Sequence, residues 1–362
     1  MTVGRPMTAP LDQPALYRRL DPSRMRDRIA GLPDQCRQAW QEGLAFPLPE
    51  ACASAQSVVL MGMGGSAIGG DLIAGLAALE NGPPVTVLRD YSVPSWVGSS
   101  TLAIASSYSG NTEETLAMYR HAREKGACLV AITSGGALAQ LAQQDGVPLF
   151  KVKYQGEPRS AVGYSFVVPL ALLSKLGLLA DKELQLEAAL GVVRDMAGTL
   201  ATVVPQSQNQ AKDLATSLQG RLPVVYGAGF LSGAAKRWKT QLNENSKVWA
   251  FWEELSELNH NTIEGYGLPS QVRDHAFVVL LHSSFLHPRI SLRYQITQEL
   301  LAKSDIPYRQ VEGRGSSPLA HLLSIALLAD YTSYYLAMLN RVDPAVMPAI
   351  DRLKERLGQD AP

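Results

Sequence analysis

Cysteine is scarce in this sequence, with three among 362 residues. Cys36, Cys52 and Cys128 fall in no metal-ligand or redox spacing, and an odd number suits a reducing cytoplasm. An excess of one charge is also missing. Lys plus Arg and Asp plus Glu each total 33, which argues against nucleic acid as the main partner. No N-terminal stretch carries the long apolar run of a signal peptide. No segment is a convincing membrane span either. The nearest, residues 319–339, contains His321, Asp330 and several tyrosines, and reads as a core helix. A last absence concerns the glycine-rich stretch at 62–70. It has no Walker lysine, and its glycines do not settle into G-x-G-x-x-G. A nucleotide is therefore not its natural occupant.

The length allows two domains of ordinary size, and 46% hydrophobic residues suffice for their cores. Two stretches organise the chain: V-V-L-M-G-M-G-G-S-A-I-G-G at 58–70 and A-I-A-S-S-Y-S-G-N-T at 103–112. Each opens as a buried parallel strand and breaks into small, hydroxyl-bearing residues where a helix should begin. In an open α/β sheet such loops lie at the carboxyl ends of strands, where ligands bind. A phosphate is the simplest ligand. The N–H groups of Gly64 and Gly65 at a helix N-terminus would hold it, with hydroxyls from Ser66, Ser107, Ser109 and Thr112. Either loop alone is also ordinary turn chemistry. Two in consecutive βα units favour a ligand.

Alternation of strand and helix predicts a doubly wound parallel sheet in each half. Strands are expected at 57–62, 85–89, 101–106, 128–133 and 149–153, then at 222–226, 276–281 and 307–311. Residues 1–14 read as a loose arm and 16–42 as helical. The domains are expected as an arm and helix over 1–40, a first unit over 41–185 and a second over 205–362. Trp249, Phe251 and Trp252 are expected to pack between domains or at a dimer contact. The repeat between halves is architectural, without strong residue identity.

Several motifs converge on a family. M-G-G-S-A-I-G-G at 63–70, S-Y-S-G-N-T-E-E-T at 107–115 and P-R at 158–159 resemble the bifunctional phosphoglucose/phosphomannose isomerases. So do N-E-N-S-K at 243–247, N-H-N at 259–261 and the V-D-P…L-K tail. The resemblance implies two SIS (sugar isomerase) domains and a homodimer. It implies reversible conversion of glucose 6-phosphate or mannose 6-phosphate to fructose 6-phosphate, with no metal or organic cofactor.

Metal-free aldose–ketose isomerisation needs a base that moves a proton between C2 and C1 through a cis-enediol. It also needs a cation for the enediolate and groups that open the ring. The resemblance assigns Glu244 as the base, Arg159 as the cation, and His260 and Lys354 to ring opening, with His260 often supplied by the partner subunit. Each has a plainer reading. Glu244 would be a helix-surface carboxylate paired with Lys247, and Arg159 a loop arginine paired with Glu157. His260 would be a turn residue, and Lys354 a solvated side chain between Arg352 and Arg356. A phosphosugar sensor would share the loops but need none of the four. An amidotransferase-coupled synthase would need an N-terminal cysteine where this chain begins Met1-Thr2. A single-substrate isomerase is compatible with every motif.

Overall fold

The computed structural model describes residues 9–359. The first half is a five-stranded parallel sheet in the order β2-β1-β3-β4-β5. Its strands are β1 (Ser57–Met61), β2 (Val85–Leu88), β3 (Thr101–Ser106), β4 (Cys128–Thr133) and β5 (Leu149–Lys151). The second is a four-stranded parallel sheet, β7-β6-β8-β9, of β6 (Leu222–Gly227), β7 (Phe251–Glu254), β8 (Ala276–His282) and β9 (Tyr308–Glu312). Both reverse strand order between their first and third strands, so the repeat is one of topology. The edge strand β7 escapes sequence reading because F-W-E-E has neither alternation nor a full apolar run.

The first-half helices are α1 (Pro14–Leu20), α2 (Met25–Ala30), α3 (Leu32–Ala45), α4 (Gly64–Ala77), α5 (Glu113–Glu124), α6 (Gly136–Gln144) and α7 (Val168–Lys175). A five-residue π turn at Gly163–Val167 leads into α7. Then come α8 (Glu183–Thr199), α9 (Gln210–Leu218), α10 (Ser232–Ser246), α11 (Leu255–Leu258), α12 (Ser270–His275), α13 (Pro288–Lys303), α14 (Pro318–Leu339) and α15 (Pro348–Gln359). Of an 18-residue apolar window in α14, 94% is buried in the fold, as expected of a core helix.

From residue 9 onward the arm is not loose, since Leu11 and Tyr17 are buried. Tyr17 stacks on Tyr334 of α14, with ring centroids 6.1 Å apart. Lys212 is fully buried beside them. Its Nζ donates to Asp12 Oδ1 at 2.9 Å and to the carbonyls of Thr202 (2.9 Å) and Val204 (2.8 Å). The arm, the α8–α9 connection and α9 thus meet on one ammonium. Trp249 is 74% exposed and Phe251 40%, so neither packs between the two halves of this chain. Cys52 and Cys128 form a disulfide, with Cα atoms 5.7 Å apart, and Cys36 is free and buried. The sequence reading, which took the odd count to suit a reducing cytoplasm, does not anticipate this pair. A separation of 76 residues hides the pair until the turn at Glu50–Ser54 lies beside the start of β4.

Removing one partner of a buried charged cluster leaves the others unsatisfied, at a cost of about 3 kcal/mol. Lys212→Ala should lower the urea unfolding free energy by roughly that amount. An unchanged midpoint and slope would show that the Lys212 cluster does not hold the arm.

Candidate active site

The reversal of strand order in the first sheet lies between β1 and β3, and the loops that follow these strands flank its crevice. They are the two glycine- and hydroxyl-rich stretches. Gly64 opens α4 at φ +49°, with open space around it. The N–H groups of Gly64 and Gly65 open α4 with no carbonyl four residues behind them, which makes them donors for an anion, whereas the Ser66 N–H is taken by the Met63 carbonyl at 3.1 Å. Ser66 Oγ accepts the N–H of Tyr108 at 3.0 Å, so the loops are stitched together and the hydroxyl proton stays available. Ser107 Oγ and Thr112 Oγ1 pair at 2.9 Å, and Ser107 also accepts from Gly110 N. Ser109 is exposed, and its hydroxyl accepts from Asn111 N at 3.3 Å. Glu113 turns away toward the Tyr91 hydroxyl at 3.4 Å. The expected phosphate residues therefore share one crevice.

Arg159 stands directly over the first loop. A Cβ on Gly65 would lie 2.8 Å from Arg159 N and from the Pro158 carbonyl carbon, so only glycine permits this approach. The N-terminal helices brace the arginine loop. Arg28 of α2 holds Glu157 at 2.7 Å, and Gln35 of α3 bonds Ser160 O (3.0 Å) and Gly163 N (2.6 Å). Glu157 is thereby committed to Arg28, and the ion pair Arg159 makes is with Glu244.

That pair joins the halves. Arg159 Nη1 lies 3.3 Å from Glu244 Oε2, on the last turn of α10, with the guanidinium 2% exposed and the carboxylate 20%. Burial pushes the Arg159 pKa down, and Glu244 and Glu157 oppose that. A guanidinium stays charged regardless. Its other donors are also taken. Nε donates to Asn245 Oδ1 at 2.6 Å, and Nη2 to the carbonyls of Pro344 (2.5 Å) and Ala345 (3.1 Å). Nη1 also meets the thioether of Met347 at 3.0 Å. Lys247 closes α10 in a left-handed conformation at φ 58°, and its ammonium reaches the Glu244 carbonyl, not the carboxylate. Burial, with help from Arg159, pushes the Lys247 pKa down to about 8.

Lys354 and His260 do not touch this cluster. Lys354 is exposed on α15, whose approach through residues 344–347 is moored on Arg159. His260 is exposed, and its ring has no hydrogen bond or ion pair among the described residues. Helix α10 returns Glu244 to the amino edge of the second sheet, whereas His260 follows the carboxyl end of β7 and α11. The sheet separates the two. Sequence reasoning missed Asn245, Met347 and the carbonyls at 344 and 345. Asn245, the last letter of N-E-N, and Pro344, the last letter of V-D-P, had a visible signal; Ala345 and Met347 had none.

The profile of the bacterial phospho-glucose isomerase C-terminal SIS domain matches residues 207–357. A bifunctional phosphoglucose/phosphomannose isomerase of Caldicellulosiruptor bescii is 39% identical over 336 residues, covering 92% of this chain and 99% of that protein. One from Thermoplasma acidophilum is 35% identical, covering 83% and 90%. A hypothetical protein of Thermus thermophilus of solved structure superposes with a TM-score of 0.72 at 18% identity, over 95% of this chain and 92% of that one.

Ser109 is the exposed hydroxyl of the loop pair and binds no other side chain among the described residues. Ser109→Ala should raise KM for a sugar phosphate about fivefold, worth roughly 1 kcal/mol, with kcat within about twofold. An unchanged KM with a lowered kcat would remove Ser109 from the phosphate site.

Proposed function

This chain belongs to the bifunctional phosphoglucose/phosphomannose isomerase family, and we propose that it interconverts glucose 6-phosphate and mannose 6-phosphate with fructose 6-phosphate by proton transfer through a cis-enediolate. The observation that carries this reading is the meeting of Arg159 and Glu244 beside the Gly64–Ser66 turn. The phosphate binds Gly64, Gly65, Ser66, Ser107, Ser109 and Thr112. Anchored there, the sugar presents C1 and C2 to the second half of the chain.

Glu244 takes the C2 proton of the open-chain aldose, and the C2–H electrons form the C1–C2 double bond. The C1=O electron pair moves to O1, and the negative charge lies beside Arg159. The hydroxyl proton passes from O2 to O1, and Glu244 returns its proton to C1 as the C2=O double bond forms, giving the ketose. The contacts of Arg159 Nη1 are the exchangeable ones: a carboxylate at 3.3 Å and a thioether, a weak acceptor. An enediolate oxygen replaces the thioether with a charge-assisted bond while Nη1 stays beside Glu244. The proton shuttle needs no metal. Lys354 opens the sugar ring from the rim, where the tail anchored on Arg159 delivers α15.

His260 serves the site of a second copy in a homodimer. Its exposure and its separation from Glu244 by the sheet support this reading. The exposed Trp249 and Phe251, 5.0 Å apart between ring centroids, would lie at the dimer contact.

The test uses chelator-treated full-length protein. Wild-type protein should turn over both aldose phosphates, and tight binding with no turnover of either would mark a sensor instead. Glu244→Gln should bind fructose 6-phosphate but incorporate no solvent deuterium; retained exchange would remove Glu244 from the role. Glu244→Gln and His260→Ala subunits should each be inactive alone. Reassociated at random, they should regain about a quarter of wild-type activity, since half the dimers carry one complete site. No recovery would place His260 in its own chain's site.

A further inference from the structure

The Arg159 guanidinium must keep one rotation to meet both Glu244 and an enediolate, and the side chain beside Glu244 sets that rotation. Asn245 is 1% exposed. Its Oδ1 accepts Arg159 Nε at 2.6 Å, its Nδ2 donates to Ser333 Oγ at 2.9 Å, and the Ser333 hydroxyl donates to the Asp330 carbonyl at 3.1 Å. Each direction is forced. A guanidinium only donates and a carbonyl only accepts, so the amide has one orientation and the serine proton one place. The far end is fixed too. The Asp330 carboxylate takes Arg237 Nη2 at 2.7 and 2.8 Å, together with Gln241 Nε2. Arg237 in turn lies 3.5 Å from the Arg159 carbonyl. The arginine is thus gripped at its side chain by Asn245 and at its backbone by Arg237, both anchored on one turn of α14.

We propose that Asn245 is a positioning residue for the isomerisation, turning the Arg159 guanidinium through the relay Asn245–Ser333–Asp330 so that Nη1 faces Glu244 and the reacting carbons. Consecutive residues at the end of α10 then supply the base and the group that aims the cation. A shift of α14 against α10 would misaim both together. The proposal rests on the reading of Arg159 as the enediolate-stabilising group.

The probes are a five-carbon aldonate 5-phosphate, whose carboxylate imitates the enediolate, and an uncharged hexitol 6-phosphate. Asn245→Ala should lower kcat about 100-fold, the scale of an ångström of misplacement. KM for fructose 6-phosphate should stay within about threefold, since the phosphate loops are untouched. Affinity for the aldonate phosphate should fall far more than for the hexitol phosphate. Asn245→Asp keeps the acceptor and should restore kcat to within about tenfold of wild type. Ser333→Ala leaves both grips partly intact; it should give an intermediate loss of kcat and aldonate affinity even if Asn245→Ala fails to fold. Equal weakening of both ligands, an unchanged kcat, or Asn245→Asp no better than Asn245→Ala would overturn the proposal. Arg159→Lys, measured alongside, separates the two levels. If it lowers kcat and aldonate affinity while Asn245→Ala and Ser333→Ala do not, only the positioning role fails. If Arg159→Lys leaves both at wild type, the reading of Arg159 fails and the positioning role with it.

Discussion

One guanidinium holds the molecule's two halves in register. Arg159 follows the first sheet, yet all its side-chain hydrogen bonds go to the second half: Glu244, Asn245, the carbonyls at 344 and 345, and the Met347 sulfur. A buried cation without partners would cost several kcal/mol, so the facing surface has to supply acceptors. It does so with the last turn of α10, the negative end of a helix dipole, and with the chain that enters α15. Among the residues that bury the arginine are Glu244, the proposed base, and its neighbour Asn245. Stability and site geometry thus depend on the same contacts.

The two sheets share a topology, but their crevices differ. At the first, the loops are lined by hydroxyls and backbone donors, with Gly64 in open space. At the second, Ser283 is fully buried and pairs with His321 at 2.8 Å, whose other ring nitrogen donates to the Gly315 carbonyl. Gly75 of α4 abuts Phe230 of the second glycine loop, where a Cβ would lie 2.7 Å from the carbonyl oxygen. At the second crevice, then, the polar groups and the glycine loop meet partners within the chain. The second half contributes instead from its opposite edge, where α10 and α14 both end. This explains how Glu244, far along the chain, comes to pair with Arg159 beside the first glycine loop.

All the strands but β7, and the two glycine- and hydroxyl-rich loops at one crevice, were legible in the sequence because each rests on local chemistry: apolar runs, glycines and hydroxyls within ten residues. The roles proposed for Glu244 and Arg159 rest on resemblance, since their neighbours in sequence, Lys247 and Glu157, suggested other ion pairs. The fold forms neither of those pairs. Glu157 is taken by Arg28, and Lys247 turns to a carbonyl. The Cys52–Cys128 pair, the bracing by Arg28 and Gln35, and the Asn245 relay join positions tens of residues apart and leave no periodic trace. Asp330 was the nearest to a warning. A carboxylate inside an otherwise apolar helix needs a buried partner, and Arg237 is that partner.

The most direct test of the central claim is a crystal structure of Glu244→Gln with fructose 6-phosphate bound. The account predicts the phosphate within hydrogen-bond distance of Ser66, Ser107, Ser109 and Thr112. It also predicts C1 and C2 about 3.5 Å from the residue 244 side chain, with a sugar oxygen on Arg159 Nη1. A sugar phosphate in that crevice with its first two carbons turned away from residues 159 and 244 would contradict it.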